Sequence, residues 1–577
     1  MADLNSHATP VQRLWRLLLT ERRDIAYLYV YASLAGLITL SLPLGVQSVI
    51  GFVSSGAVST SLVVLIAFIV VGTLLVGALQ IMQVYLVEVL QQRLFTRVAF
   101  DFAVRLPRVR TEALGNEYLP ELMNRMLDTP LLQKGLSILL LEFTSAGLQI
   151  LFGLILLSFY HPIFIAFGLL LVLMLSFLLR ITWRRGLETS ITESKYKYRV
   201  VAWLEDVART VHTFRLAPRH ALVLDRTDAH VNGYLASRQA HFRVLMAQYF
   251  GFVGFKTLIT AGLLTIGCWL LVNKQINIGQ FVASEIVIIL TIGAVEKIMI
   301  KLDVLYDALT SLDKIGHVLG LPAVEEPAGA NLPLSTNPAQ GLNVDLRLVS
   351  YSYPGADKPT LHGVSLQLRP GEHLGLAGYD GSGKTTLLRV MGGLLDGYQG
   401  LISYDGTSLR DLSPSALSDS VGENFSHQHL FTGTVLENLT LNQPEVQPAN
   451  VTWALDLVGL RDEVFAWPHG LGTFVSAGTP LPDNVKQKLL LARALVRRPR
   501  LLLLDHFLPA VEPTERQRIL KRLLAPELPW TLILASNDPR VLALCPRTAV
   551  LRTGRIVADG PFAAIAQQPE LQELLTA

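Results

Sequence analysis

Cysteine is nearly absent from this sequence, which has only Cys268 and Cys545 among its 577 residues. Two residues so far apart exclude a disulfide framework and show no spacing typical of a metal site. We therefore expect both cysteines to serve in packing.

Charged residues are also scarce, at 16% of the chain, and the formal net charge is only +3. This balance gives no reason to expect a nucleic-acid partner. The scarcity is greatest in the first 300 residues, where apolar runs reach the roughly 20 residues needed to cross a bilayer as helix. Because the chain is too long for one compact domain, we predict a membrane domain followed by a second domain.

Six membrane spans are predicted from the apolar runs, at about 25–52, 60–90, 136–159, 162–182, 244–273 and 278–300. The segments after the second and fourth spans are long and basic, whereas the other three connections contain only Lys274. The positive-inside rule then predicts a multi-pass protein of the cell (inner) membrane, with both termini and the second domain in the cytoplasm. The lipid bilayer is its first expected partner.

The two long basic segments contain few glycines or prolines, so we expect the membrane helices to continue into the cytoplasm. Short helices near 112–124 and 207–220 would then form the turns. Residues 10–24 alternate basic and apolar residues at helical spacing, which is typical of an interfacial helix. An ordinary solvated helix is the alternative.

Three ionisable residues, Glu142, Lys256 and Glu285, lie within the apolar runs. Charges at that depth are costly, and they usually face a cavity or pair with one another. We expect Lys256 to pair with Glu285. The alternative is that Glu142 lies at the cytoplasmic boundary and Glu285 extends outward to the interface.

The predicted fold is multidomain, with a six-helix transmembrane domain followed by an α/β domain. Residues 321–341 are rich in proline, alanine and glycine, which is typical of a linker. Beyond them, short β-like runs alternate with helical ones, a pattern that predicts a mostly parallel sheet. The predicted order is an interfacial segment 1–24, a membrane domain 25–320, the linker 321–341 and an α/β domain 342–577.

The stretch "GYDGSGKTT" at 378–386 fits the phosphate-binding pattern G-x-x-x-x-G-K-[ST] between a predicted strand and a predicted helix. Backbone amides and Lys384 would hold the phosphates, and Thr385 would bind Mg²⁺. Asp505, at the end of "LLLLD", would hold the same ion from the opposite side. We therefore predict ATP and Mg²⁺ as cofactors, bound in the loop by Gly378, Gly381, Ser382, Gly383, Lys384, Thr385 and Thr386.

Six spans followed by such a domain resemble an exporter-type half-transporter of the ATP-binding cassette superfamily. Further matching stretches are "YSYPG" (351–355), "LFTGTVLENL" (430–439) and "LLLARALVRRPRLLLLD" (489–505). The resemblance implies that Tyr353 stacks on adenine, although a plain strand aromatic is the alternative. The stretches "SLPLGVQSVIGF" and "LQQRLFTRVAFDFAVRLPR" are most similar to bacterial peptide and protein exporters of the type I secretion group.

Several positions depart from the family pattern. His506 stands where the resemblance implies a water-activating glutamate, Asn537 replaces the switch histidine, and Ser426 replaces a glutamine. The signature L-S-G-G-Q falls on 481–485, which read "LPDNV", and we expect Asp483 to be the N-cap of the following helix. Gln428 is nearby but two residues out of register. No catalytic residue of the pattern is therefore intact, although the residues that bind nucleotide remain.

A histidine can accept a proton near neutral pH. The ring of His506, however, would have to stand where a longer and flexible carboxylate reaches the water, so we do not expect it to act as the base.

The resemblance implies a dimer, either with itself or with a similar half-transporter, that exports a peptide, protein or amphipathic substrate with weak or absent ATP hydrolysis. It also implies a periplasmic adaptor as a partner. With 24 residues ahead of the first span, we expect any substrate leader to be cut elsewhere or not at all. The alternative is a non-transporting pseudo-ATPase scaffold or regulator controlled by nucleotide binding.

Overall fold

The structure is a computed structural model that describes residues 9–54, 60–110, 112, 119–216, 221–324, 334, 340–425, 428–476 and 481–568. It divides into two compact units. The membrane unit comprises Met1–Pro107 and Asn116–Leu321, and the cassette unit comprises Arg108–Gly115 and Pro322–Ala577.

Helices joined by short turns make up the described residues of the membrane unit. Its helices are α1 (Pro10–Thr20), α2 (Arg22–Thr39), α3 (Ser41–Ser54), α4 (Thr60–Arg105), α5 (Leu119–Met123), α6 (Thr129–Ser137), α7 (Thr144–Tyr160), α8 (Ile163–Arg209), α9 (Val211–Arg215), α10 (Ala221–Val272), α11 (Ile278–Ile300) and α12 (Leu302–Leu319). A 3-10 segment, Asn124–Asp128, precedes α6, and a π-helical segment, Ile138–Phe143, joins α6 to α7.

Six membrane-length segments are found among the described residues: Arg22–Val53, Thr60–Arg108, Leu119–Tyr160, Ile163–Arg209, Ala221–Val272 and Ile278–Leu319. Each contains one predicted span, so the six-span prediction is confirmed. Helices α4, α8 and α10 have 46, 47 and 52 residues, or about 70 to 80 Å at 1.5 Å per residue. A hydrocarbon core is only about 30 Å thick, so these helices extend well beyond it, as expected.

The predicted turn helices lie only partly in the described residues. α5 falls within 112–124 and α9 within 207–220, whereas residues 113–118 and 217–220 lie outside the description. Most of the predicted linker, from 325 to 333 and from 335 to 339, also lies outside it.

Helix α1 has one buried and one exposed side. Thr9 and Gln12 form a capping box at its start, and the buried Arg13 donates to the Asp313 carbonyl oxygen on α12 at 2.9 Å. Its exposed large hydrophobic side chains lie at spacings of four residues: Val11, Trp15 and Leu19. An apolar stripe of this kind favours the interfacial position predicted for 10–24.

Lys256 pairs with Glu296, not with Glu285 as predicted. Its Nζ donates to Glu296 Oε2 at 2.7 Å, whereas Glu285 Oε1 is buried without a hydrogen bond in the described part of the chain. Lys256 lies 16 residues before the end of α10, and Glu296 lies 18 residues after the start of α11. In two antiparallel helices these positions share a depth, whereas Glu285, seven residues into α11, lies nearer the connection. The Nζ of Lys301 lies 3.9 Å from Glu142 Oε1.

The cassette unit combines strands and short helices. Its strands are β1 (Val344–Tyr351), β2 (Leu361–Leu368), β3 (His373–Ala377), β4 (Gln399–Tyr404), β5 (Thr407–Ser408), β6 (Val421–Asn424), β7 (Gly433–Thr434), β8 (Phe474–Val475), β9 (Leu501–Asp505), β10 (Thr531–Ala535), β11 (Arg547–Arg552) and β12 (Arg555–Gly560). Its helices are α13 (Lys384–Met391), α14 (Pro414–Ser420), α15 (Val435–Thr440), α16 (Pro448–Leu457), α17 (Arg461–Ala466), α18 (Asp483–Leu495), α19 (Pro513–Leu523), α20 (Pro539–Leu542) and α21 (Phe562–Ile565).

The central sheet has the order β12-β11-β3-β10-β9-β6, and all its described pairings are parallel except that of β12. Every residue of β3, β9 and β10 is buried, which explains their continuous apolar runs. The predicted α/β domain is confirmed. An antiparallel sheet, β2-β1-β4-β5, packs beside it and was not predicted.

Residues 108–115, which precede the third span in sequence, group with the cassette unit. Within that unit, Glu112 Oε1 accepts a hydrogen bond from the backbone amide of Asp396 at 2.6 Å. The backbone amide of Val324 also donates to the Arg108 carbonyl at 2.7 Å. Hydropathy alone does not reveal this association.

The ion pair between α10 and α11 can be tested by a double-mutant cycle. Lys256→Met and Glu296→Gln should each lower the free energy of unfolding by about 2 kcal/mol, because each leaves a charged or polar group in the span without its partner. The double variant should lose less than the sum. Glu285→Gln is the matched control, since its effect should simply add to that of Lys256→Met. Coupling of Lys256 to position 285 instead would contradict the assignment.

Candidate nucleotide-binding site

The parallel strands deliver the predicted site residues to one edge of the sheet. β3 leads into the loop 378–383, β9 ends at Asp505, and β10 is followed by Asn537 after one intervening residue. β10 pairs with both β3 and β9, and Ala535 lies opposite Asp505. The carboxyl ends of parallel strands form the usual ligand-binding edge of such a sheet.

The loop 378–383 has the backbone shape that a phosphate requires. Gly381 and Gly383 adopt left-handed conformations, with φ of 78° and 105°. A Cβ on Gly378 would lie 2.3 Å from the Leu551 carbonyl oxygen, so this position cannot hold a side chain. The loop ends at the start of α13, whose N-terminal amides add positive potential. The buried Ser382 hydroxyl has no hydrogen-bond partner in the described residues.

Lys384 is held across this loop. Its side chain is buried, and Nζ donates to the carbonyl oxygens of Gly378 at 2.5 Å and Tyr379 at 3.1 Å. Burial lowers the pKa of Lys384, and the neighbouring carboxylates of Asp380 and Asp505 oppose that shift. The ammonium of Lys384 therefore lies at the loop, where its hydrogen bonds to these carbonyl oxygens can be replaced by hydrogen bonds to phosphate oxygens.

Thr385 and Asp505, the predicted Mg²⁺ ligands, are in direct contact. Thr385 Oγ1 donates to Asp505 Oδ2 at 2.9 Å, and Asp505 is only 1% exposed. A hydroxyl and a carboxylate are hard oxygen ligands of the kind that Mg²⁺ prefers when it also binds phosphates. These residues therefore fit the ion that the sequence predicts.

Tyr353 lies beside the helix that follows the loop. Its hydroxyl is 3.2 Å from Thr386 Oγ1, and its ring meets that of Tyr351 edge to face at 5.1 Å. The ring is half-buried, so part of it remains free to contact a ligand. This position is compatible with the predicted adenine contact.

His506 has no structural support as a catalytic base. Its side chain is exposed, its φ is 50°, and its ring makes no hydrogen bond within the described part of the chain. A general base needs a partner or a packed environment that orients it toward water. The histidine at this position lacks both.

Asn537 is tied to an acidic residue of the phosphate loop that sequence analysis did not single out. Its Nδ2 donates to Asp380 Oδ1 at 3.1 Å. Asp380 occupies a variable position of the G-x-x-x-x-G-K-[ST] pattern, so the motif match concealed it. An inspection of charge within the loop would have found it.

The signature segment differs from expectation at one point. α18 begins at Asp483 and Pro482 is its N-cap, so the prediction that Asp483 is the N-cap is wrong by one residue. A carboxylate in the first turn still interacts favourably with the helix dipole. Asp483 is exposed and bonds Lys486 Nζ at 3.1 Å.

The predicted glutamine position, Ser426, lies outside the described residues. Gln428, two residues further, donates weakly to the Glu423 carbonyl oxygen at 3.4 Å. Glu423 lies on β6, which leads toward this position, and its Oε2 is buried without a hydrogen bond in the described part of the chain. Burial raises the pKa of Glu423 to about 7.

Two family models match the chain. A family model described as ABC transporter transmembrane region matches residues 25–295, and one described as ABC transporter matches residues 361–508. A solved structure described as a bacterial Atm1-family ABC exporter with ATP bound superposes with a TM-score of 0.84 at 18% identity, covering 95% of this chain and 96% of the other. That likeness shows the fold.

Curated relatives include the mycobactin import ATP-binding/permease protein IrtB of Mycolicibacterium thermoresistibile, 29% identical over 64% of this chain and 62% of that protein. The alpha-hemolysin translocation ATP-binding protein HlyB of Escherichia coli O157:H7 is 26% identical over 62% of this chain and 50% of that protein. The match therefore spans less than two thirds of either relative. The hemolysin relative confirms the expected likeness to protein exporters, and the mycobactin importer shows that the likeness extends beyond them.

Fold and site together define an integral membrane protein with an ATP-binding cassette. The two family models place both parts in one family. The chain belongs to the ABC transporter family and has the architecture of an exporter half-transporter.

The buried Glu423 should make stability depend on pH. Its folded-state pKa of about 7 lies above the ordinary 4.5, so the folded state holds a proton that the unfolded state loses. The wild-type protein should therefore lose stability relative to Glu423→Gln as pH rises from about 4.5 to 7, by up to about 3 kcal/mol. Thermal unfolding across this range measures the difference. The exposed Glu463→Gln serves as control, and a wild-type profile parallel to that of Glu423→Gln would refute the assignment.

Proposed function

We propose that this chain forms a dimer, with itself or with a similar half-transporter, that binds Mg-ATP between its cassettes and hydrolyses it weakly or not at all. The observation that carries the proposal is the contrast between the residues that would bind nucleotide and the residue at the position of the catalytic base. Lys384, Thr385 and Asp505 are buried or paired as nucleotide binding requires, whereas His506 is exposed and unsupported.

The side chains that would bind the phosphates and Mg²⁺ are present and positioned at the loop. Lys384 supplies a buried ammonium at the loop, and Thr385 with Asp505 supplies the oxygen ligands for Mg²⁺. When bound, the ion neutralises phosphate charge. The half-buried ring of Tyr353 offers a surface for the base.

The residues that the family pattern uses for ATP hydrolysis are replaced in this site. Loss of a general base typically costs about 10²- to 10⁴-fold in rate. Asn537, at the switch position, is engaged by Asp380 and bears no imidazole. Pro482 has neither hydroxyl nor backbone N–H to offer a phosphate, and the carboxylate of Asp483, which is paired with Lys486, has no hydrogen to donate to one. If cassettes pair head to tail, as the family resemblance implies, even an intact partner would leave two impaired sites.

The membrane unit favours export of a peptide, protein or amphipathic substrate. The support is the exporter fold and the relative named for alpha-hemolysin translocation. A non-transporting scaffold or regulator controlled by nucleotide is the second candidate, and the impaired hydrolytic half of the site specifically favours it. A periplasmic adaptor belongs to the export proposal only.

Measuring ATP binding and ATP hydrolysis on one preparation tests whether the site binds ATP without hydrolysing it. For the purified chain in lipid nanodiscs, we expect ATP to bind and phosphate release to stay at background. Lys384→Ala should weaken binding at least about tenfold, because a charge-assisted contact is lost. Lys521→Ala, an exposed lysine of α19, is the matched control.

The base position can be tested by restoring the family residue. His506→Glu should raise turnover only slightly, because Asn537, Pro482 and Asp483 remain. Rapid phosphate release by the wild-type chain, abolished in Lys384→Ala, would refute weak hydrolysis and remove the regulator alternative. A large gain from His506→Glu alone would show that the rest of the site is competent.

A further inference from the structure

We propose that Asp380 sets the nucleotide preference of this site, by placing a negative charge at the terminal-phosphate end of the loop and so reducing the preference for ATP over ADP. The inference rests on the proposed nucleotide binding and specifies which nucleotides the site accepts. It concerns equilibrium binding and not the hydrolytic step.

The position of the carboxylate follows from two contacts. Asp380 lies inside the loop 378–383, between the backbone groups that would surround the phosphates. Its Oδ1 accepts the 3.1 Å hydrogen bond from Asn537 Nδ2, and Asn537 follows the end of β10. The lysine of this motif reaches the terminal phosphates, and Lys384 Nζ lies on the carbonyl oxygens of Gly378 and Tyr379, the two residues just before Asp380. Asp380 therefore lies at the terminal-phosphate end of the loop, and the bond to Asn537 holds its carboxylate at the strand edge there.

The protein charges around the site are unbalanced. Lys384 is a buried cation, and both Asp380 and Asp505 lie close enough to favour its charged form. Asp505 also contacts Thr385 and would be offset by Mg²⁺. Asp380 has a neutral amide as its hydrogen-bond partner and shares the single cation Lys384 with Asp505, so a net negative charge remains beside an incoming phosphate.

ATP and ADP differ at the place where this charge acts. Both present phosphates to the loop amides and to Lys384, but only ATP adds a third phosphate at the terminal end of the loop, where Asp380 lies. Two like charges about 6 Å apart, at an effective dielectric between 20 and 80, change affinity by roughly 3- to 100-fold. ADP ends one phosphate earlier and avoids most of that repulsion.

A weak preference for ATP over ADP would change how the proposed site is occupied. A site that binds ADP about as well as ATP would be occupied by an adenine nucleotide whatever the ratio of the two. Occupancy would then not depend on a hydrolytic cycle, which agrees with the unsupported His506.

The test is equilibrium binding of ATP and ADP, each with Mg²⁺, to the full chain in lipid nanodiscs. Asp380→Asn should tighten ATP binding about tenfold and leave ADP binding within about twofold. Asp380→Ser repeats the loss of charge with a smaller side chain, in case the amide rearranges the loop. Asp411→Asn, an exposed carboxylate elsewhere in the cassette, is the matched control and should change neither affinity.

The outcomes separate this inference from the proposed function. An unchanged ratio of ATP to ADP affinity in both Asp380 variants, with binding still lost in Lys384→Ala, would overturn the role of Asp380 and leave nucleotide binding intact. Weaker ATP binding in both variants would also overturn it, because the Asp380 carboxylate would then support ATP binding and not oppose it. Failure of the wild-type chain to bind either nucleotide would overturn the proposed function itself.

Discussion

The cassette depends on the parallel arrangement of β3, β9 and β10. Because these strands run side by side and are buried on both faces, their carboxyl ends deliver a loop, an aspartate and an asparagine to one edge. The loop then folds around the buried ammonium of Lys384, which bonds two of its carbonyl oxygens. This edge holds the phosphate loop, Asp505 and Asn537 in place, whereas Tyr353 follows β1 of the other sheet and Pro482 precedes α18.

The membrane unit follows a different constraint. In hydrocarbon every backbone group must be paired within its own segment, so the spans are helices, and charged side chains persist only at matched depth. Lys256 and Glu296 meet because each lies a similar number of residues from the connection between α10 and α11. Arg13 ties α1 to α12 in the same unit through the backbone of Asp313.

Local patterns predicted much of this structure. Apolar runs located the six spans, since length and composition alone decide whether a helix can cross a bilayer. The glycine spacing located the phosphate loop, because only particular positions tolerate its backbone angles. Prediction failed where partners are distant in sequence. The choice of Glu285 for Lys256 ignored depth, and the grouping of residues 108–115 with the cassette has no local signature.

The sequence by itself determined which chemical groups are present: a lysine and a threonine for phosphate and magnesium, and a histidine, an asparagine and a proline where the family pattern has other residues. Tertiary structure alone decided how those groups meet. It placed Asn537 against Asp380, left the His506 ring exposed and enclosed Glu423 on β6. The physical reason is that helix depth brings together residues 40 positions apart, as in Lys256 and Glu296, and strand order brings together residues 157 positions apart, as in Asp380 and Asn537. No local pattern encodes either meeting.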